Sequence, residues 1–407
     1  MTDCRNSLIR RSDCQSAKLP EPLDGSLDLD TRWRMAMDVE QRKRLALLCF
    51  LWDTQHAVLF SQSLCMSAFE LRTNLPCNPD VWESETAIEW SKCTTGSEPS
   101  FLAILKLYMC PTQTSAPPQL NALSRLLILH GLMSVFWDMK RRDQTSLGEY
   151  GEGICSYLTE PLTSDDPTGA VGPNAEWKPR LGNAYDAWKT DFDAYQMNMA
   201  MHLKESPAVK AEFTRFSTST LAIYHAAHIV LNVEILDLQI YAGARHIIGR
   251  PVSLHDHERS KWIVRNQDTA STNAAAWHAA QLLRDGVMNL EGWDVDQRFH
   301  YPWCLYLATL TCWAFHHVKN EHVSLSGEPH YDNTTNDESG MNALISSMTA
   351  VGPEGLGRLA GRQSTTGLIN VIAKHLGNIR WAVVYEGVKV LRGLEPERVN
   401  AGYDYMR

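Results

Sequence analysis

Apolar residues return at three- and four-residue steps along most of this chain, a period that predicts helices. Between residues 40 and 60, Leu45, Leu48, Cys49, Trp52, His56, Leu59 and Phe60 fall on one face of a single helix, behind the charged start Glu40-Gln41-Arg42-Lys43-Arg44. Residues 61–100 are expected as helix and turn pieces, interrupted at Pro76, Pro79 and Pro99, because proline lacks an amide proton and fixes its φ angle. After Pro117-Pro118, the run from Leu120 to Met139 is apolar nearly all round and reads as a buried helix.

In the second half, Trp188, Phe192, Tyr195, Met199 and Leu203 again step at helical spacing. Pro207 suits a first helical turn, and the pattern it opens carries Leu221, Tyr224, His228, Leu231, Ile235 and Leu238 as far as about Tyr241. Gly249-Arg250-Pro251 breaks the period; it resumes over Lys261–Asp285, Pro302–Val318 and Thr366–Arg392. Alternating patterns are scarce and no internal repeat stands out. The expectation is an all-α fold of many helices packed on helices, with long irregular loops.

The polar segments set the organisation. Residues 1–38 read as a partly disordered polar leader, residues 39–395 as one domain, and residues 396–407 as a tail. Within that domain, about 143–183 is rich in Gly, Pro, Ser, Thr and Asp and reads as a long loop, while about 320–340 is a polar insert.

Composition narrows the function classes. A chain of 407 residues with 44% hydrophobic and 21% charged residues is globular. Its formal charge of −9 argues against a surface that neutralises phosphates by itself. Basic clusters are short: Arg10-Arg11, Arg42-Lys43-Arg44 and Lys140-Arg141-Arg142. Each reads as a solvated helix end, with a nuclear import signal as the weaker alternative. The ten cysteines form no C-x-x-C pair, and no zinc-finger histidine spacing follows them. Several sit in apolar helical runs and read as small hydrophobes in a reducing compartment. The longest apolar run, Trp303 to Phe315, is too short to span a bilayer, so no membrane association is expected.

Several constellations resemble chemistry without completing it. His255-Asp256-His257-Glu258 is dense, but neighbours on a helix diverge, so a turn with solvated side chains is the reading. His225 and His228 can share a helical face, with Glu234 following; no third ligand is apparent, which favours a core or boundary pair. His316-His317 closes an apolar helix, where a cation suits the helix dipole. Asp165-Asp166 and the run Asp332 to Glu338 lack the spacing of paired magnesium motifs, and no phosphate-binding or nucleophile glycine signature occurs. The thirteen Trp residues keep company with Leu, Ala and Val rather than Lys and Arg, which points to core packing. No catalytic residue, cofactor site or metal site is assigned.

Four blocks carry a family resemblance. "RKRLALLCFLWDTQHAVLF" (Arg42–Phe60), followed by "ELRTNLPCNPDVWES" and Glu89-Trp90, resembles the regulatory domain of fungal-specific transcription factors, the middle homology region. "AAHIVLNVEILDLQIYAG" (Ala226–Gly243), "HYPWCLYLATLTCWAF" (His300–Phe315) and "VYEGVKVLRGL" (Val384–Leu394) support it. The subset most resembled carries two-cysteine two-histidine zinc fingers upstream of this domain. The resemblance implies a nuclear transcription regulator controlling a metabolic or secondary-metabolite gene set, and not an enzyme. No family DNA-contact residue maps onto a position here. DNA is therefore expected to be reached only indirectly or through an N-terminal module that this sequence does not show, with a homodimer or a DNA-binding protein as partner. The alternative is an all-α biosynthetic enzyme that depends on a metal or binds a small molecule.

Overall fold

A computed structural model of the chain describes residues 28–93, 96–110, 119–145, 177–203, 206–247, 249–294, 299–323 and 336–394. Among these residues the fold is all-α. Strand pairing is limited to one antiparallel ladder between His246–Ile247 (β1) and Arg250–Pro251 (β2), turned by Gly249 at φ 74°, and a bridge between Asn74 and Ser100. The stretch read as a single domain falls into two compact units, Met1–Tyr195 and Gln196–Arg407.

The first unit contains α1 (Leu29–Phe60), α2 (Pro79–Trp82), α3 (Ala87–Cys93), α4 (Phe101–Met109), α5 (Ala122–Thr145) and most of α6 (Trp177–His202). Helix α1 begins eleven residues before Glu40, so residues 29–38 of the expected leader are helical. It ends at Ser61, which turns the chain through the left-handed region at φ 52° and returns its N–H to the Ala57 carbonyl. Of the α1 row picked out by apolar spacing, Leu59 is buried, but Leu45, Leu48, Cys49, Trp52 and His56 are exposed and a second row packs. Ala36, Glu40, Leu47, Phe50, Thr54, Ala57 and Val58 are buried, while Leu45, Leu48 and Trp52 are 53%, 47% and 52% exposed. Both rows have helical spacing, and the row that packs includes Glu40 and Gln55, which meet polar partners inside.

Helix α5 supplies the centre of this unit, with Leu127, Ile128, Leu132, Met133 and Phe136 buried, as its all-round apolar pattern predicts. It is long and apolar enough over Ala122–Gln144 to cross a membrane by length and composition, and most of that stretch is buried in the protein. Gly131 is required there: a Cβ would lie 2.9 Å from the Phe101 ring of α4. Helix α5 runs to Thr145 and α6 starts at Trp177, which trims both ends of the expected 143–183 loop; residues 146–176 lie outside the described residues.

The second unit continues with α7 (Pro207–Asn232), α8 (Ile235–Tyr241), α9 (Leu254–Arg265), α10 (Thr269–Asn289), α11 (Tyr301–Val323), α12 (Asp337–Ala350), α13 (Pro353–Leu356), α14 (Thr366–Leu376) and α15 (Ala382–Gly393). Three single-helix expectations divide. The Pro207 helix bends by 82° between α7 and α8. The Lys261–Asp285 pattern spans α9 and α10, where Asp268 caps α10 through the Ser271 N–H. The last candidate is α14 and α15. Part of the polar insert is helical at its edges, Asn320–Val323 in α11 and Asp337–Gly340 in α12, with residues 324–335 outside the described residues. Helices α7, α10 and α11 pack on one another, α12 and α13 lie on α10, and α14 and α15 lie on α11. Close contacts need glycine: a Cβ at Gly286 of α10 would sit 2.5 Å from the Tyr301 hydroxyl.

Candidate functional site

The block that carries the resemblance is held by a polar clamp in the first unit. Glu40 Oε2 lies 2.5 Å from Lys43 Nζ, and Oε1 accepts from Arg44 Nε at 2.9 Å and from the Cys77 N–H at 3.0 Å. Lys43 then donates to the Leu75 carbonyl and Arg44 to that of Cys77, both at 3.1 Å. Arg44 also covers the Trp82 ring at 4.2 Å. From α5, Asn121 donates to the Pro76 and Cys77 carbonyls. Burial opposes ionisation of Glu40, but the Lys43 and Arg44 contacts and the Cys77 N–H outweigh it and hold the carboxyl below its ordinary value. Burial and the Glu40 charge push the Cys77 thiol up to about 11.

This corrects the reading of Arg42-Lys43-Arg44 as a solvated helix end. Lys43 and Arg44 are internal fasteners that secure the Leu75-Pro76-Cys77 turn, and Arg42 pairs with Asp38 on the surface. A second buried pair, Arg125 with Asp191, lies between α5 and α6; Tyr108 donates to the same carboxylate at 2.7 Å and the Tyr195 ring faces the guanidinium at 4.8 Å. Both clusters are paired internally and bind the elements of the unit together.

In the second unit the His225–His228 pair acquires a third histidine that spacing did not reveal. His278 of α10 brings Nδ1 to 3.0 Å from His225 Nδ1, and its ring stacks on His228 with centroids 3.9 Å apart and planes 6° apart. Tyr224 packs edge-on against all three rings. His225 Nε2 faces Asp285 Oδ2 at 3.8 Å. Burial, then the charges of His228 and His225, hold His278 well below its ordinary value. Parallel stacking keeps the His228 and His278 lone pairs in separate planes, and among the described residues no group of His, Cys, Asp or Glu is arranged to hold a metal. The reading as a core histidine pair becomes a three-ring core cluster.

Helices α8, α9, α10 and α11 enclose a cavity of about 110 Å³ in this unit. Val233, Leu238, Val264, Ala314, Phe315 and Val318 form its apolar wall. Its polar lining includes Arg265, Gln267, Thr272, Asn273 and Thr311. Three of these donate a proton within the protein: Gln267 Nε2 one of its two to the Asn232 carbonyl at 2.6 Å, and Thr272 and Thr311 their hydroxyl protons to the Asp268 and Leu307 carbonyls, both at 2.8 Å. Asn273 is buried at 7% exposure, and its Oδ1 has no hydrogen-bond partner among the described residues.

The remaining singled-out groups have structural roles. Asp256 of the His255–Glu258 cluster forms a reciprocal capping box with Ser253 at the start of α9, and the neighbours diverge around that first turn. His316 is buried, and burial lowers it to about 4, so it does not act as a dipole-stabilising cation. His317 stacks on Trp313 and is lowered by burial and by Arg265 and Lys261. Trp90, Trp188, Trp303 and Trp313 are core residues, whereas Trp52 and Trp262 are exposed. Cys304 and Cys312 are buried, but Cys49, Cys65, Cys93 and Cys110 are exposed, against the reading of apolar-run cysteines as core. Asp165-Asp166 and residues 332–335 lie outside the described residues.

The Glu40 clamp falls inside the segment that comparison with known families picks out. Residues 6–190 match the fungal specific transcription factor domain. The recognised first block lies within it, while the other three blocks lie beyond residue 190. The chain is 45% identical over 397 residues to the nicotinate catabolism cluster-specific transcription factor of Emericella nidulans, covering 95% of this chain and 42% of that protein. It is 24% identical over 394 residues to zinc finger protein klf1 and 21% identical over 373 residues to zinc finger protein zas1, both of Schizosaccharomyces pombe. These cover 95% and 89% of this chain and 46% and 38% of the two proteins. The chain thus spans less than half the length of the curated relatives it matches. No solved structure matches it significantly.

Proposed function

We propose that the chain is the helical regulatory part of a fungal transcription regulator, that it works in the nucleus, and that it controls a metabolic gene set. The observation that carries this is the 45% identity, across 95% of the chain, to a protein named for a nicotinate catabolism cluster, together with the family match over residues 6–190. A catabolic gene set is favoured over a secondary-metabolite one because the name of that relative refers to catabolism. The regulatory domain is taken as residues 39–395 in two compact units. Contact with DNA is assigned to a DNA-binding module or partner protein, with self-association as a homodimer. The acidic charge and the internal use of Lys43, Arg44 and Arg125 support that division. The family match and the names of the relatives favour a regulator over the enzyme alternative.

Deletion of the gene, with transcripts and metabolites profiled together, tests the proposal. Collapse or induction of one coherent gene set is the expected result. Unchanged transcripts with a single accumulating intermediate would overturn it in favour of an enzyme.

A further inference from the structure

The cavity between α8, α9, α10 and α11 has the size and chemistry of a small-molecule site. Its volume of about 110 Å³ is several times what one water occupies and approaches the roughly 150 Å³ of an engineered apolar cavity that holds benzene. A single six-membered ring fits that scale; a nucleotide or a sterol does not.

Polarity narrows the class further. Thr272 and Thr311 donate their hydroxyl protons to the carbonyls four residues back, as helical threonines do. Gln267 uses its amide group on the Asn232 carbonyl. Thr272 and Thr311 are left with lone pairs, and Gln267 with its Oε1 and its second Nε2 proton. Asn273 adds a buried carbonyl oxygen that has no hydrogen-bond partner among the described residues, an arrangement that costs stability and that a ligand donor would relieve. Arg265, exposed at the rim, is the cationic donor of the lining.

We propose that this cavity binds a ring-sized effector that carries an N–H or O–H donor on its buried side and an acceptor or carboxylate towards Arg265. Heteroaromatic amides and lactam acids have this character. The apolar wall, with Phe315 and Val233, takes the ring. The role as effector rests on the regulator proposed above; the binding itself does not.

The test uses the full chain and three probes, followed by ligand-observed NMR: benzamide with donor and acceptor, benzoate with acceptors alone, and toluene with neither. Benzamide is expected to bind near about 1 mM, as suits a fragment of this size, and ~10-fold more tightly than benzoate or toluene. Asn273→Leu, which removes the orphan oxygen at similar volume, is expected to fold and to abolish the preference for benzamide. Thr311→Val is expected to weaken it ~3-fold, and Ala314→Met, which fills the cavity, to abolish binding of all three. No saturable binding of any probe, or binding that Ala314→Met leaves unchanged, overturns the site. Equal affinity for the three probes overturns the donor rule. A gene set that responds to deletion, but not differently in a strain carrying Ala314→Met, overturns the effector role while leaving the regulator standing. A gene set indifferent to deletion overturns the regulator while leaving binding to be judged on its own.

Discussion

Replacing His316 with leucine should flatten the acid sensitivity of the second unit. His316 is 1% exposed on α11, and neither ring nitrogen has a hydrogen-bond partner among the described residues. Burial lowers its pKa from 6.5 to about 4. The unfolded chain therefore takes up a proton near pH 6.5 that the folded chain refuses until near pH 4. Stability is fully present above 6.5 and lost as the pH falls through that window. At roughly 1.4 kcal/mol per pH unit, the loss between pH 8 and pH 5 comes to about 2 kcal/mol from this one ring. His278 and His317 are also lowered but are common to both proteins, so they cancel in the comparison. Leucine has a similar volume and removes a buried polar group, so His316→Leu should equal or exceed the wild type at pH 8. The assay is urea unfolding of both proteins at pH 8, 7, 6 and 5. If the two lose the same stability on acidification to within about 0.5 kcal/mol, the linkage argument is refuted.

Other consequences follow from packing and from the clamp. Glu40→Ala strands Lys43 and Arg44 and should cost about 3–5 kcal/mol, with faster hydrogen exchange at the Cys77 amide; unchanged exchange there would mean that the clamp does not hold the turn. Gly286→Ala should lower stability by about 1–3 kcal/mol despite the better helix propensity of alanine. Adding Tyr301→Phe should recover part of that loss, and purely additive melting shifts would count against the clash. Among the described cysteines, thiol labelling of the native chain with mass-spectrometric mapping should mark Cys49, Cys65, Cys93 and Cys110 quickly. Cys77, Cys304 and Cys312 should label only on unfolding, because burial raises all three thiols.

Much of the helical content was legible because helical periodicity is local. The apolar run of α5, the Pro207 start of α7 and the Trp303–Phe315 core of α11 stand where their spacing puts them. Breaks were harder. Val233 and Glu234 look no different from their neighbours, yet the chain turns by 82° there because α8 packs on α9 and α11. Helices α12 and α13 follow a polar insert and were not anticipated. Asn336, within the run that lacks paired-magnesium spacing, caps α12 through the Glu338 N–H. The first resembling block, inside the matched segment 6–190, contains the residues of the Glu40 clamp other than Glu40 and Asn121.

The sequence by itself determined the class of this protein: all-α, acidic, with a recognisable regulatory block and no complete catalytic signature. Those properties reside in local spacing, composition and ordered motifs. Tertiary structure decided which of two apolar rows on α1 is buried, since both have the same period and only the partner surface distinguishes them. It also decided that Lys43 and Arg44 point inward, that His278 joins His225 and His228 from 53 residues away, and that Thr272, Asn273 and Thr311 line one cavity. Each depends on contacts between distant segments, where packing and the pairing of buried polar groups act together and local pattern carries no record of the outcome.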